Sequence, residues 1–477
     1  MKRTILVLVT LMMGIMSYAQ ITFENFNQEK VQSVSKVYPI GEENFMIINN
    51  EEYVVINPSM KTVSKTTFNF EKKTVFVSAY NSSDGGIIAI FRVYQKKDEL
   101  YTYTKVVISP DGKLTNTEVL SSMAEERKER NVARSITSPD GNLHAHFLFT
   151  MDKNNILKEL VILIMDNEGE IVSTRNVNPT FNNETFSFHK AYITNEGELY
   201  FAFSSTQKSK KRKDLQNISL HVLRVNEDGG EMFNLDDIEF GFIESMSMLM
   251  LENGDMFFGG FYSADPKKRI PGRFSVVFNK EQGEFQNMST ALLSGYEKHS
   301  PYDIYVLGMY EMENTVIMLG EEKRLITRRD NKGNVTYEYY AKNVLVCPFQ
   351  KDGEMLKENA ITKLNKSNNH AIFLYSSALK SGNNLYVLSN CNYKNEKSGK
   401  GHKTVNTGGT HAKIGIRVNV IAEDGSIERK TVEAPNVEKY GFSHIIYSDE
   451  NQAFLLFGKA QLFKYEFKVR KVTLAKD

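Results

Sequence analysis

The sequence of 477 residues predicts an all-β fold, an eight-bladed β-propeller with four antiparallel strands per blade. The first observation behind it is a recurring acidic Gly turn between two apolar runs. From Asp84 the turn recurs at Asp140, Glu196 and Asn253, in steps of 56, 56 and 57 residues. A fixed period of this order is typical of propellers and other repeat architectures. The second is period-2 alternation of apolar residues, enriched in β-branched and aromatic types, along most of the chain.

A third observation concerns the strands within each unit. In the third unit we predict strands at residues 132–137, 143–150, 157–166 and 170–177. The second and third of these are continuously apolar, which is typical of strands buried on both faces. The fourth strands are polar, as in Ser426-Ile427-Glu428-Arg429-Lys430. This gradient suits a radial blade, because its outer edge faces water and must resist pairing with another edge.

The chain divides into eight such units. They span residues 34–69, 74–120, 132–178, 189–236, 245–290, 303–361, 370–433 and 442–476. The last unit contains only three strands, and residues 21–26 would supply its fourth, so that an N-terminal strand closes the last blade. A seven-bladed ring, with the short first unit merged elsewhere, is the alternative. Helical periodicity is clear only at residues 121–133.

The N-terminus has the pattern of a secretory signal peptide. Met1-Lys2-Arg3 precedes an apolar run at residues 5–16, and Ser17-Tyr18-Ala19 supplies small residues for cleavage. The Tyr-Ala-Gln junction resembles export signals common in Bacteroidota. We therefore predict a signal peptide at residues 1–19 and a single propeller domain at 20–477, exported to the periplasm or the cell surface. No later segment approaches the roughly 20 apolar residues of a spanning helix, so no transmembrane segment is expected after cleavage.

Two short segments carry a family resemblance. Ser109-Pro110-Asp111-Gly112-Lys113-Leu114 and Ser138-Pro139-Asp140-Gly141-Asn142-Leu143 resemble the Ser-Pro-Asp-Gly element of TolB-like propeller repeats. Together with the export signal, the resemblance implies a secreted multi-bladed β-propeller of the Bacteroidota type. It implies no particular function.

The loops predicted between second and third strands are long and basic. Four of them, at residues 204–217, 262–273, 320–342 and 391–413, contain 20 basic and 7 acidic residues. Without Lys2 and Arg3 the chain has 57 basic and 58 acidic residues, so this surplus is local. The candidate ligand-binding residues are Lys208, Lys210, Lys211, Arg212, Lys213, Lys267, Lys268, Arg269, Arg273, Lys323, Arg324, Arg328, Arg329, Tyr337, Tyr339, Lys394 and Lys403.

In a propeller these loops share one face, and clustered cations there would concentrate anionic ligands. The expected partner is an anionic surface polysaccharide, a lipopolysaccharide or an acidic protein. Nucleic acid is unlikely as a partner, because only some of the loops carry the aromatic residues that base stacking needs. A solvated lysine-rich face without a ligand is the alternative, and the acidic turns follow in part from turn chemistry.

No catalytic, cofactor or metal motif is evident, and the predicted function is non-catalytic binding or scaffolding. The alternative is a carbohydrate-active hydrolase or lyase that uses carboxylates at the channel mouth. Its candidate residues are Asp236, Asp237, Glu244, Glu297, Asp303, Glu321 and Glu322. His144 and His146 share a strand face, and a core position is favoured for both over a metal site. Two buried free thiols are favoured over a disulfide for Cys347 and Cys391.

Overall fold

The structure is a computed structural model in which every regular element is a β-strand. It describes residues 21–23, 30–31, 36–70, 74–95, 100–124, 130–151, 157–178, 185–206, 217–236, 242–265, 269–296, 300, 302–368, 374–392, 405–406, 414–433, 441–448, 452–460 and 465–474. The predicted signal peptide lies outside these residues. In this part of the chain no helix is long and apolar enough to cross a membrane.

The described strands form eight sheets. The chain begins with β1 (Ile21–Phe23) and β2 (Lys30–Val31), which belong to the last sheet. Sheet 1 contains β3 (Lys36–Ile40), β4 (Asn44–Ile48), β5 (Glu52–Ile56) and β6 (Thr62–Thr67). Sheet 2 contains β7 (Val75–Asn81), β8 (Ile87–Gln95), β9 (Leu100–Ile108) and β10 (Leu114–Ala124). Sheet 3 contains β11 (Arg130–Thr137), β12 (His144–Met151), β13 (Leu157–Met165) and β14 (Ile171–Val177). Sheet 4 contains β15 (Thr185–Ile193), β16 (Leu199–Thr206), β17 (Asn217–Asn226) and β18 (Gly229–Asp236).

The second half of the chain repeats the pattern with additions in one sheet. Sheet 5 contains β19 (Phe242–Met250), β20 (Met256–Asp265), β21 (Ile270–Asn279) and β22 (Glu284–Leu292). Sheet 6 contains β23 (Asp303–Glu311), β24 (Thr315–Arg329), β25 (Val335–Gln350), β26 (Asn359–Ile361) and β27 (Asn365–Asn368). Sheet 7 contains β28 (Ser377–Ser381), β29 (Asn384–Asn392), β31 (Ile414–Ile421) and β32 (Ile427–Glu433), and β30 (Val405–Asn406) joins sheet 6. Sheet 8 contains β33 (Gly441–Ser448), β34 (Gln452–Ala460) and β35 (Tyr465–Leu474), with β1 and β2 paired to β35.

The sheets are arranged in a closed ring. The first strand of each sheet contacts the first strand of the next, from β3 and β7 through to β28 and β33, and β33 contacts β3. The hydrophobic core follows the same order, because each cluster of buried residues joins two neighbouring sheets rather than filling a common centre. This is the arrangement of a multi-bladed β-propeller.

Burial within the sheets follows the predicted gradient. Second and third strands such as β12, β20 and β21 are buried along almost their whole length, whereas the outer strands β6 and β14 alternate between exposed and half-buried residues. Each of the apolar strands packs on both neighbouring sheets. The outer strands meet water, as an edge protected from aggregation requires.

Sheet 8 closes the chain as predicted. Ile21 lies opposite Leu474, and Phe23 opposite Val472, in an antiparallel pair. The predicted closing strand extended to residue 26, and residues 24–26 lie outside the described part of the chain. The N-terminal strand therefore covers the outer edge of β35 and ties the two chain ends together.

The helical periodicity noted at residues 121–133 does not correspond to a helix in the described parts of that segment. β10 continues as a strand to Ala124, where it pairs with Leu100, and β11 begins at Arg130. Residues 125–129 lie outside the described part of the chain. A register shift between Val119 and Ser121, of the kind a β-bulge produces, interrupts the alternation of side chains along β10.

Candidate functional site

The tight turns of the sheets lie at one end of the ring, where they bond to each other. The Gly41 N–H donates to the Gly85 carbonyl at 2.9 Å, which links sheets 1 and 2, and the Ser83 N–H donates to the Asn167 carbonyl at 3.3 Å, which links sheets 2 and 3. Similar bonds continue around the ring at Asp140 with Asn195, Glu252 with Glu311, and Thr315 with Glu423. The opposite end, called here the long-loop end, therefore holds the connections between second and third strands.

The Ser-Pro-Asp-Gly segments belong to these turns. The Ser109 hydroxyl donates to Asp111 at 2.5 Å, and the Gly112 N–H donates to the Ser109 carbonyl at 2.8 Å, with Gly112 at φ 78°. Hydrogen bonds from Lys113 and Ser109 lower the pKa of Asp111 to about 2. The acidic residues at this end thus serve to close the turns.

The β24–β25 hairpin is the most prominent described feature of the long-loop end. The first eight residues of β24, from Thr315, are buried, and the last seven, residues 323–329, are half-buried or exposed. Those seven residues span roughly 23 Å at the usual strand rise. We call residues 323–329 and 335–340 the hairpin surface. Its strands are paired without interruption to Arg329 opposite Val335.

The hairpin surface carries six of the predicted candidate residues. Arg324, Arg328 and Arg329 are exposed. Tyr337 is 40% exposed, and its ring centroid lies 6.4 Å from that of the half-buried Tyr339. The sixth, Lys323, lies at its base.

One carboxylate, that of Glu338, neutralises part of the positive charge of the hairpin surface. The Glu338 carboxylate binds Arg328 at 3.2 Å and Lys366 at 3.3 Å, and a hydrogen bond from Arg328 is the main cause of its lowered pKa. Arg324 and Arg329 remain as exposed cations on the same hairpin as Tyr337. The surface therefore combines positive charge with an accessible aromatic ring.

Lys323 is held in a cluster with tyrosines between sheets 6 and 7. Its ammonium lies 4.0 Å from the ring centroid of Tyr375 and 5.3 Å from that of Tyr305. It also lies 3.6 Å from the Glu321 carboxylate. Tyr305 and Tyr375 are not among the candidate residues predicted from the sequence, because neither lies in one of the four long basic loops.

Glu321 and Glu322 do not present their carboxylates to solvent. The side chain of Glu321 has no exposed surface, and one oxygen binds Lys363 Nζ at 2.6 Å and accepts the Ser376 N–H at 2.8 Å. Glu322, on the other face of β24, is also buried, and burial raises its pKa. Asp303 binds Arg269 Nη1 at 3.2 Å. The structure therefore brings three of the proposed carboxylates into one region, where Glu321 and Asp303 are held in ion pairs and Glu322 is buried.

Arg273 differs from the prediction of an exposed basic residue. Its side chain is 4% exposed, and its guanidinium binds Glu358 at 2.7 Å and donates to the Leu356 carbonyl at 2.6 Å. It also lies over the Phe349 ring, 5.5 Å from the centroid. The cause is its place on β21, a third strand buried on both faces. Arg273 therefore makes buried contacts between its sheet and the next, and it does not reach the surface at the long-loop end.

The other candidate residues cannot be placed. Lys208, Lys210, Lys211, Arg212, Lys213, Lys267, Lys268, Lys394 and Lys403 lie outside the described residues, as do Asp237 and Glu297. The remaining carboxylate candidates are Glu244, which is half-buried, and Asp236, which ends β18.

The histidines and cysteines occupy buried positions. His144 and His146 are each 3% exposed, which agrees with the favoured core positions. Cys347 and Cys391 are buried free thiols, as favoured. Ile193 and Met248, on the first strands of sheets 4 and 5, are buried in the clusters between sheets.

Comparisons with known proteins add only distant similarities. No protein-family model and no curated protein matches this chain. A protein of unknown function from Bacteroides caccae is 14% identical over 68% of this chain and 94% of that one, with a TM-score of 0.28. One from Dyadobacter fermentans is 10% identical over 90% and 99%, with a TM-score of 0.33. A levansucrase from B. megaterium is 10% identical over 67% and 88%, with a TM-score of 0.31. Similarities of this size carry no argument about function.

Proposed function

We propose that this chain is an exported eight-bladed β-propeller that acts as a binding or scaffolding protein. Its long-loop end would recognise an anionic polysaccharide or an acidic protein of the cell envelope. The observation that carries the proposal is the hairpin surface, which presents the exposed cations Arg324 and Arg329 and the exposed ring of Tyr337 on one hairpin. The eight sheets and the core clusters between neighbouring sheets support the blade number.

The contrast between the two ends of the ring favours the long-loop end as the recognition surface. At the tight-turn end, acidic side chains and backbone groups are used in bonds within and between turns. At the long-loop end, an extended hairpin projects polar and aromatic groups that no packing requirement explains. Insertions on one side of a rigid scaffold are common places for binding functions.

Binding is also favoured over the alternative of a carbohydrate-active hydrolase or lyase. Acid and base catalysis at a glycosidic bond needs two carboxyl groups that reach the substrate. Glu321 and Glu322 are buried, and the Glu321 carboxylate is already bound by Lys363. The raised pKa of Glu322 has burial as its main cause, so it does not by itself indicate an acid catalyst.

The proposal can be tested by retention on an anionic matrix. The double variant Arg324→Gln/Arg329→Gln removes two exposed cations from the hairpin surface. On immobilised polygalacturonate, it should elute at a lower NaCl concentration than the unchanged chain. The difference should shrink as salt rises, because exposed charges are screened.

A matched control removes the same charge from the other end. Lys61→Gln/Lys113→Gln alters two exposed cations in the tight turns of sheets 1 and 2. This variant should elute close to the unchanged chain. Equal shifts for both double variants would mean that retention follows net charge alone, and the proposed recognition surface would be wrong.

A further inference from the structure

Two adjoining cavities lie in the channel wall where sheets 1 to 3 meet. Their volumes are about 510 and 480 Å³, within the range of small-molecule sites. Both are lined by residues of the first strands β3, β7 and β11. Lys36 and Ser135 line both cavities, so the two spaces adjoin.

The outer cavity lies near the long-loop end and is cationic. It is lined by the beginnings of the first strands, around Val75 and Val132, and three of its lining residues are the cations Lys36, Arg92 and Arg134. No carboxylate is among its lining residues. The Arg134 guanidinium donates to the Ala133 carbonyl at 2.9 Å, which holds it against the wall. Three cations in a concave site create a field that favours an anion.

Arg92 is also fixed in this wall. Its guanidinium carbon lies 4.8 Å from the centroid of the Tyr101 ring, a cation–π contact. Guanidinium groups suit carboxylates and phosphates, because their planar donors match the oxygen spacing of both. The outer cavity thus has the chemistry of a site for either acid group.

The inner cavity shares Lys36 with the outer one, and its other lining residues are uncharged and rich in hydrogen-bonding groups. Ser78, Ser135, Thr137 and His146 contribute side chains to its wall. The Ser78 hydroxyl lies 3.4 Å from His146 Nδ1, while His146 Nε2 is buried without a hydrogen-bond partner among the described residues. Burial lowers the pKa of His146 to about 3, so this ring is uncharged at neutral pH.

Both ring nitrogens of the neighbouring His144, in contrast, have hydrogen-bond partners. Its Nδ1 lies 3.0 Å from the Thr137 hydroxyl and its Nε2 lies 2.8 Å from Asn167 Oδ1. Its ring also stacks on Tyr80, with the centroids 3.4 Å apart. His144 is thus held by its neighbours, and the hydroxyl groups of Ser135 and Thr137, on half-buried and exposed residues of the same wall, are the groups open to a ligand.

We propose that the channel wall at sheets 1 to 3 binds a small hydroxylated anion, a sugar acid or a sugar phosphate. Its acid group would lie among Lys36, Arg92 and Arg134, and its hydroxyl groups would bond to Ser135 and Thr137. Ser135 and Thr137 are two residues apart on β11, roughly 7 Å at the usual strand rise, comparable with the length of a monosaccharide. This site is separate from the hairpin surface and does not rest on the proposed function.

Isothermal titration calorimetry of the purified chain tests the proposal with four probes. Glucuronate or glucose 6-phosphate should bind measurably, and the tighter of the two identifies the preferred acid group. Glucose and inorganic phosphate should each bind at least tenfold more weakly than that ligand. If glucose bound as tightly as the sugar anion, the outer cavity would not bind an acid group. If inorganic phosphate bound as tightly, the inner cavity would not bind the sugar hydroxyl groups. Binding of neither sugar anion at millimolar concentration would overturn the whole proposal.

Variants test whether the ligand binds at these cavities or at other cations of the protein. Arg134→Gln changes an exposed side chain and should leave folding intact, yet it should weaken the preferred ligand at least tenfold. Ser135→Ala should weaken the sugar anion but leave inorganic phosphate unchanged. Arg324→Gln on the hairpin surface is the matched control and should bind like the unchanged chain. An unaltered affinity in Arg134→Gln, or an equal loss in Arg324→Gln, would contradict the assignment.

Discussion

The buried ion pair between Glu321 and Lys363 offers a sharp test of how sheets 6 and 7 are joined. The side chains are 0% and 2% exposed, and the shorter contact between them is 2.6 Å. Glu321→Gln would leave the Lys363 ammonium buried with the Leu374 carbonyl, 3.0 Å away, as a neutral acceptor. Removing one partner of a buried pair costs about 3–5 kcal/mol, because the remaining charge is uncompensated. We expect a loss of this order in the free energy of unfolding.

The dependence of this loss on pH follows from the pKa of Lys363. Burial lowers that pKa, while the Glu321 carboxylate raises it in part. Between its folded and unfolded pKa values, the unfolded chain binds more protons at this lysine, so stability rises with pH in that window. Without Glu321 the folded pKa falls further and the window widens. The deficit of Glu321→Gln should therefore be largest near pH 7 and shrink as the pH approaches the ordinary lysine pKa of about 10.4.

Urea unfolding followed by far-ultraviolet circular dichroism would measure the effect, since the chain has no Trp to report by fluorescence. Glu338→Gln is the matched control in the same sheet. Its carboxylate binds Arg328 and Lys366, whose side chains are 63% and 28% exposed, so water can solvate the cations left behind. The reasoning would be refuted if both variants lost the same stability at pH 7, or if the deficit of Glu321→Gln grew with pH.

Three further predictions concern packing, thiols and closure. Gly260→Ala should cost about 1–3 kcal/mol by overpacking, since a Cβ there would lie 2.5 Å from a backbone oxygen of the adjacent strand. Gly259→Ala, which meets a flexible methionine sulfur at 3.2 Å, should cost less in the same urea titration. Cys347 and Cys391, whose pKa values burial raises to about 12 and about 11, should react with Ellman's reagent only after unfolding. Absence of free thiols in the unfolded chain would reveal a disulfide instead. Deleting Ile21–Phe23 should lower the thermal midpoint and promote self-association through the uncovered edge, measured by light scattering, and an unchanged monomer would contradict the closing role.

Much of the fold could be predicted because its determinants are local. In the third sheet the predicted strands at residues 132–137 and 157–166 correspond to β11 (Arg130–Thr137) and β13 (Leu157–Met165). Turn chemistry and alternation set these boundaries, and both are properties of neighbouring residues. The register shift near Ser121 could not be predicted, because a bulge depends on the partner strand.

The site was less predictable because burial and partners come from distant parts of the chain. Arg273 and Arg269 lie four residues apart in the same predicted basic loop, yet Arg273 is buried against Glu358 and Arg269 binds Asp303. Nothing local distinguishes the two cations. The channel cavity at Arg134 is a further example, since its wall combines strands from three sheets.

The hairpin surface differs from an ordinary loop in the way its residues are held. Inside the molecule, β24 and β25 pair from Thr315 opposite Gln350 to Glu321 opposite Val344, and outside it the same ladder continues to Arg329. A register shift between Glu321 and Lys323 separates the two parts. Because a shift of one residue exchanges the faces of a strand, this irregularity sets which side chains of the outer half lie beside Tyr337. Side chains on paired strands lose less conformational entropy on binding than those of a free loop. This smaller entropic cost would favour ligand binding at the hairpin surface.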